Sequence, residues 1–214
     1  MPRRMPPLDS AFRVEILNAE DLVTRLEAAR IALASQAMTR HTLHVKKLEL
    51  LYELAYLRVF LAWENFLEQS FLRFLCGYRH SGGQESILSG NYCRTLSDAS
   101  ATLFGNRGFA LWHTPSTVVT RAQSFFANGR HEIIVSSNQA RLAHFAAIRH
   151  RIAHAQDHAK FQFDQTTMAL CGKRYLGSRP GVFLRDWAPS STPPRRWIDA
   201  IAGELFSLAK QINK

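Results

Sequence analysis

The sequence has little cysteine and no long uninterrupted apolar run. Its three cysteines, Cys76, Cys93 and Cys171, are far apart and include no Cys-x-x-Cys pair, so a reducing compartment is favoured over a disulfide framework. The opening MPRRMPPLDS is basic, but no apolar segment typical of a secretory signal follows it. No run reaches the roughly 18 apolar residues that a membrane-spanning helix needs. We therefore expect a cytoplasmic protein that does not bind a membrane.

Acidic residues are also scarce relative to basic ones. The chain has 17 Asp and Glu against 27 Lys and Arg, a net charge of +10. Such a surplus favours polyanionic partners, chiefly nucleic acid. The hydrophobic fraction of 46% argues against disorder, and 214 residues suffice for one sizeable core.

Strand signals are few, and HEIIV at 131–135 is the best of them. Apolar residues at helical spacing predict helices instead. We place these at 14–38, 42–77, 115–129, 137–172 and 196–213, with a break in the fourth near 155–162. Ser116 or Thr117 is the expected N-cap of the third. The predicted class is all-α, with one or two long antiparallel helices and irregular insertions.

Two stretches lack the helical pattern and are expected to be irregular. The first, 78–116, is rich in Gly, Ser and Asn, and the second, 173–196, contains four prolines. The second also interleaves the aromatic residues Tyr175, Phe183 and Trp187 with the cations Lys173, Arg174, Arg179, Arg185, Arg195 and Arg196. This mixture suits single-stranded RNA. It also suits a covering loop whose aromatic rings dock on the core.

The stretch IRHRIAHAQDH, residues 148–158, concentrates arginine and histidine. One interpretation is a metal site, since His150, His154 and His158 follow an i, i+4, i+8 spacing. Three histidines on one straight helix would span about 12 Å, too far for a single ion, and we predict no metal. A solvated basic helix face is the second interpretation.

The third interpretation of this stretch is phosphoryl transfer without a metal ion. Histidine can accept or donate the proton, and arginine can stabilise the charge on the phosphate. Arg149 and His154 are the candidates, but five residues separate them by about 140° around an ideal helix. The reach of the arginine side chain can make up part of that angle, and a local irregularity or a second subunit could supply the rest.

Two segments resemble HEPN domains. IRHRIAH matches the Arg-polar-x-x-x-His form of the HEPN motif, with Arg149, the polar His150 and His154 in the motif positions. LAYLRVFLAWENFLEQSFLRFL, with its Trp63-Glu64 pair, resembles the long second helix of the RiboL-PSP-HEPN-like branch. The two segments occur in the family's order, and the resemblance covers about half of the chain.

This resemblance implies a fold, an assembly and a site. The fold would be an up-and-down bundle of four to five helices: an arm at 1–12 and one HEPN-like domain at 13–214. The chain would form a homodimer with the motif at its interface. His154 would be the general acid/base, Arg149 would bind the phosphate, and His150 would support Arg149, with no cofactor. Glu64 is a possible partner of Arg149.

The expected function is therefore metal-independent RNA cleavage, in a toxin, defence or RNA-processing role, with an antitoxin as a possible partner. Predicted RNA contacts are Arg151, His158, Lys173, Arg174, Arg179 and Arg185. The alternative is a non-catalytic HEPN-like module that binds RNA or nucleotides, or that dimerises with a toxin.

Overall fold

The computed structural model describes residues 3–32, 44–80, 82, 87–105, 110–189 and 192–214. The end of the predicted helix at 14–38 and parts of the predicted insert at 78–116 lie outside these residues. Within them, the all-α prediction is confirmed. The helices are α1 (Leu8–Ala32), α2 (Val45–Leu75), α3 (Leu96–Phe104), α4 (Pro115–Phe125), α5 (Arg130–Ser137), α6 (Gln139–Ala153), α7 (Asp157–Cys171), α8 (Pro180–Arg185) and α9 (Trp197–Asn213).

Five of these helices, α1, α2, α6, α7 and α9, have at least 15 residues, as expected for a helical bundle. The described strands are two residues long each. β1 (Arg3–Arg4) pairs in parallel with β2 (Tyr78–Arg79), and β3 (Ile87–Leu88) pairs antiparallel with β4 (Phe126–Ala127). None of the helices in the described part of the chain is long and apolar enough to cross a membrane.

Local signals explain where several helices begin and end. α2 contains no proline or glycine over 31 residues and ends just before Gly77, whose φ of +72° favours glycine. Gly172 ends α7 in the same left-handed conformation, and its N–H donates to the carbonyl of Met168. Thr95 and Asp98 form a capping box at the start of α3.

Three sequence-based predictions of local structure differ from the structure. HEIIV does not form a strand but belongs to α5, in which His131 and Val135, four residues apart, are both buried. That spacing is the helical period, and it outweighs the β-branched composition. The N-cap of α4 is Thr114 rather than Ser116 or Thr117, because Pro115 occupies the first helical position. α1 also begins at Leu8, inside the predicted N-terminal arm.

Contacts divide the chain into two compact units. The first comprises Met1–Arg13, Ala62–Ala143 and Leu205–Lys214. Its core contains the rings of Phe12, Trp63 and Phe66, with centroids 5.8–6.1 Å apart. Buried His131 contacts the hydroxyl of Ser70 at 2.9 Å, and burial lowers the pKa of this histidine to about 3. The imidazole is therefore a neutral part of this core.

The second unit comprises Val14–Leu61 and His144–Glu204, and it contains both the HEPN-like motif and segment 173–196. Its core is also aromatic: Phe183 lies 4.9 Å from Trp197 and 6.0 Å from Phe163, measured between ring centroids. The hydroxyl of buried Tyr56 donates to the carbonyl of Phe145 on α6 at 2.8 Å. This bond satisfies the buried hydroxyl and fixes α6 against α2 next to the motif.

Candidate functional site

The motif lies where α6 ends. The helix ends at Ala153 and α7 begins at Asp157, so the predicted break is present at 154–156. The N–H of His154 still donates to the carbonyl of His150, at 2.9 Å. His154 thus keeps its helical position, while its side chain is exposed to solvent beyond the last turn.

The break separates the three histidines into two groups. The rings of His150 and His154 are neighbours, with centroids 4.5 Å apart. His158 lies on α7, beyond the break, and is exposed. The three imidazoles therefore do not follow one straight helix, as the ladder interpretation assumed. Across the ranges that the structure describes, no three His, Cys, Asp or Glu side chains group as metal ligands.

Arg149 is half-buried in the last turn of α6, one residue before His150. Because the N–H of His154 keeps its helical bond to His150, ideal helix geometry places Arg149 and His154 about 140° apart around α6. The structure brings the rings of His150 and His154 together.

Arg151 connects the end of α6 to segment 173–196. Its Nε donates to the carbonyl of Ser178 at 3.1 Å, and its Nη1 donates to the carbonyl of His154 at 3.0 Å. Two of the guanidinium's donors thus hold protein backbone. Arg151 therefore fixes the backbone of the residue predicted to act as the acid/base.

Ser178 is a site-positioning residue that sequence reasoning missed. It has a φ of +47°, which is uncommon for a residue other than glycine. Its hydroxyl donates to Asp164 at 2.8 Å, and its N–H donates to the carbonyl of Tyr175 at 2.9 Å. These bonds hold the strained conformation that presents the Ser178 carbonyl to Arg151. The preceding Gly177 indicates a turn, but no sequence signal indicates that Ser178 contacts Arg151.

Most predicted RNA-contacting cations in 173–196 hold carboxylates of the same unit. Lys173 lies 2.5 Å from Asp186, and Arg185 lies 2.6 Å from Glu27. Arg179 pairs with Glu49. Arg174 is exposed and has no polar partner within the described residues. Ion pairing explains how so basic a segment packs on the protein, and Arg174 is the cation most available to an outside anion.

Segment 173–196 also packs against α2 through Gly181. The N–H of Gly181 donates to Glu53 at 2.9 Å, and a Cβ at Gly181 would lie 2.3 Å from the Glu49 carbonyl oxygen. Burial raises the pKa of Glu53, although the N–H of Gly181 and the charges of Arg151 and Arg179 oppose the shift. α8, which contains Gly181, is a short helix inside the predicted loop.

The aromatic residues of this segment differ in exposure. Tyr175 and Phe183 are buried in the second unit, as the interpretation of a covering loop expects for rings that dock on the core. The hydroxyl of Tyr175 donates to Asp186 at 2.8 Å. Burial alone would raise the pKa of Asp186, but the hydrogen bonds from Lys173 and Tyr175 outweigh it and keep this pKa below its usual value. Trp187, in contrast, is 56% exposed.

Glu64 belongs to the first unit, where one of its carboxylate oxygens lies 3.8 Å from Nδ1 of His113. The predicted pairing of Glu64 with Arg149 stays a prediction. Cys76, Cys93 and Cys171 carry free thiols.

Comparison of the chain with protein-family models, with curated proteins and with solved structures finds no match.

Proposed function

We propose that the end of α6 cleaves RNA without a metal ion, with a HEPN-like use of its arginine and histidine. The observation that carries the proposal is the exposed imidazole of His154 at the helix end, beside His150 and within five residues of Arg149 and Arg151. These groups supply a proton carrier and fixed cations in one short segment. The net charge of +10 favours a polyanionic substrate.

The chemistry needs only groups that this segment contains. The 2′-oxygen of a ribose attacks the adjacent phosphorus, and the bond from phosphorus to the 5′-oxygen breaks. His154 accepts the proton of the 2′-hydroxyl and donates a proton to the departing 5′-oxygen. Arg149 stabilises the charge on the non-bridging oxygens. The products carry a 2′,3′-cyclic phosphate, which water can then hydrolyse to a 3′-phosphate, and a 5′-hydroxyl.

The substrate itself tests this reaction. We expect the protein to cleave a single-stranded RNA in EDTA and to leave a fully 2′-O-methylated copy intact, because the copy lacks the attacking hydroxyl. Gel electrophoresis measures the cleavage of each oligonucleotide and identifies the end groups of the products. Cleavage of both oligonucleotides, or products with 5′-phosphates, would contradict the mechanism.

The proposal includes a homodimer with a composite site. Arg149 and His154 leave α6 about 140° apart, so Arg149 of one copy and His154 of a second can approach one phosphate from two sides. A two-fold dimer would contain two such sites. In a cell, we place this activity in the cytoplasm, in a toxin, defence or RNA-processing role that an antitoxin protein could restrain.

Subunit mixing tests the composite site. Arg149→Ala and His154→Ala are each expected to be inactive alone. In an equal mixture after subunit exchange, half of the dimers are mixed, and each contains one intact site out of two. We therefore expect recovery of about a quarter of wild-type cleavage. Exchange is verified by native mass spectrometry of differently tagged copies, and mixed dimers without recovered activity would contradict a shared site.

A further inference from the structure

A pocket of about 410 Å³ lies in the second unit, beside segment 173–196. It is lined by Glu49, Val182, Arg185, Asp186, Trp187 and Arg196. Its volume falls within the roughly 300–1,000 Å³ that small-molecule sites usually have. One wall is flat and aromatic, and the others carry charged groups of both signs.

The flat wall is the indole of Trp187, which is exposed although the backbone of this residue is held in place. The backbone forms a β-bridge with Arg196, and the main-chain N–H of Trp187 donates to the carboxylate of Asp186 at 2.9 Å. On either side, Ala188 donates to the carbonyl of Arg195 and Trp197 donates to that of Asp186, both at 2.9 Å. A residue whose backbone is fixed in this way loses little backbone entropy when a ligand covers its side chain.

Arg196 adds a cation to this wall. Its guanidinium lies 5.0 Å from the centroid of the Trp187 ring and 5.8 Å from that of Tyr52. Glu27 holds the guanidinium at 3.4 Å, and the carbonyl of Arg185 accepts from it. An indole with an ordered guanidinium against it is a suitable surface for a flat π-system, since both stacking and cation–π attraction contribute.

The other walls indicate which flat molecule fits. Glu49 pairs with Arg179 through one carboxylate oxygen and can accept an N–H donor at the edge of a bound ring through the other, while Asp186 already accepts from Lys173, Tyr175 and Trp187. Val182 offers an apolar contact. Nucleobases combine a stacking face with N–H donors at their edge, and they are accessible in this way only when unpaired. Arg174, which lies in the same segment and is exposed, can contact the attached phosphates.

We propose that Trp187 stacks an unpaired base of the RNA in this pocket. The inference rests on the proposed function for the identity of the ligand and assigns the exposed aromatic ring of segment 173–196 to substrate binding. The buried rings of Tyr175 and Phe183 support the pocket wall from within the core.

Binding measurements separate this inference from the nuclease proposal. A fluorescein-labelled single-stranded RNA is titrated with the His154→Ala protein in EDTA, and anisotropy gives the affinity. Trp187→Ala in that background is expected to weaken binding by about 5- to 100-fold, the effect of losing one stacked base. Trp187→Phe is expected to retain most of the affinity. Leu176→Ala is the matched control, because Leu176 is 96% exposed in the same segment and does not line the pocket.

Each result has one meaning. Weaker binding by Trp187→Ala alone supports the base site even if wild type cleaves no RNA, and in that case only the nuclease proposal fails. Equal binding by the parent, Trp187→Ala and Leu176→Ala overturns the base site even if wild type cleaves RNA. The base site is also overturned if Trp187→Ala weakens binding to a duplex of the same sequence as much as it weakens binding to the single strand. Absence of measurable RNA binding by the parent protein overturns it as well.

Discussion

Replacing His154 by alanine is expected to slow RNA cleavage in EDTA by about 10²- to 10⁴-fold, the usual contribution of a positioned acid/base. The side chain is exposed beyond the last turn of α6, and its backbone, not its imidazole, holds the bonds to His150 and Arg151. The free energy of unfolding should therefore change by no more than about 0.5 kcal/mol. Initial cleavage rates and urea denaturation of the same preparations measure the two quantities.

His44 provides the matched control for this substitution. It is an exposed histidine just before α2 and outside the proposed site. His44→Ala should cleave RNA at the wild-type rate. If both histidine variants lose activity equally, or if His154→Ala retains full activity, His154 does not carry the proton in the reaction.

Replacing Glu27 by alanine is expected to lower the free energy of unfolding by about 3 kcal/mol, as loss of one partner of a buried ion pair does. Glu27 is 7% exposed on α1. Its carboxylate accepts from Arg185 at 2.6 Å and from the hydroxyl of Tyr52 at 3.2 Å, and it lies 3.4 Å from Arg196. Alanine would leave both guanidinium groups, each partly buried, without this counter-charge.

Asp21→Ala on the same helix is the control for the Glu27 substitution. Asp21 forms an exposed pair with Arg25 at 2.7 Å, and removing such a pair should change stability by no more than about 1 kcal/mol. Urea denaturation at neutral pH compares the two variants. Equal effects of the two substitutions would show that the Glu27 cluster, which comprises Glu27, Tyr52, Arg185 and Arg196, does not stabilise the second unit.

The Glu27 cluster also predicts a direction for the pH dependence of stability. Burial by itself would raise the pKa of Glu27, but the hydrogen bond and charge of Arg185 and the charge of Arg196 keep it below the usual value. A carboxyl with a lowered pKa in the folded state stabilises the fold above its unfolded pKa. That stabilisation is lost as the pH falls through the folded pKa. Glu27→Ala should therefore show a smaller loss of stability on acidification than wild type.

The helices that follow from the sequence are those whose signals are local. The absence of proline and glycine predicts α2, and the apolar face of WIDAIAGELFSLAKQIN predicts α9. The break after α6 was expected within a few residues of its place. HEIIV was misjudged because five β-branched or polar residues fit a strand, whereas the burial of His131 and Val135 depends on neighbouring helices.

The candidate site could be predicted only as a set of residues in one stretch. Arg149, His150 and His154 follow from the motif, but the partners that position the stretch are distant in sequence. Ser178 lies 27 residues from Arg151, and Glu27 lies 158 residues from Arg185. No spacing rule connects such pairs, since tertiary packing decides which carboxylate neutralises which cation. For the same reason, the exposure of Trp187 and the burial of Phe183 could not be distinguished beforehand.

The most direct test of the central claim is RNA cleavage in EDTA by wild type, Arg149→Ala, His154→Ala and His44→Ala, purified in parallel. We predict cleavage by wild type and His44→Ala and none above background by the other two. Equal cleavage by all four preparations, or by none of them, would contradict the assignment of a nuclease site to the end of α6.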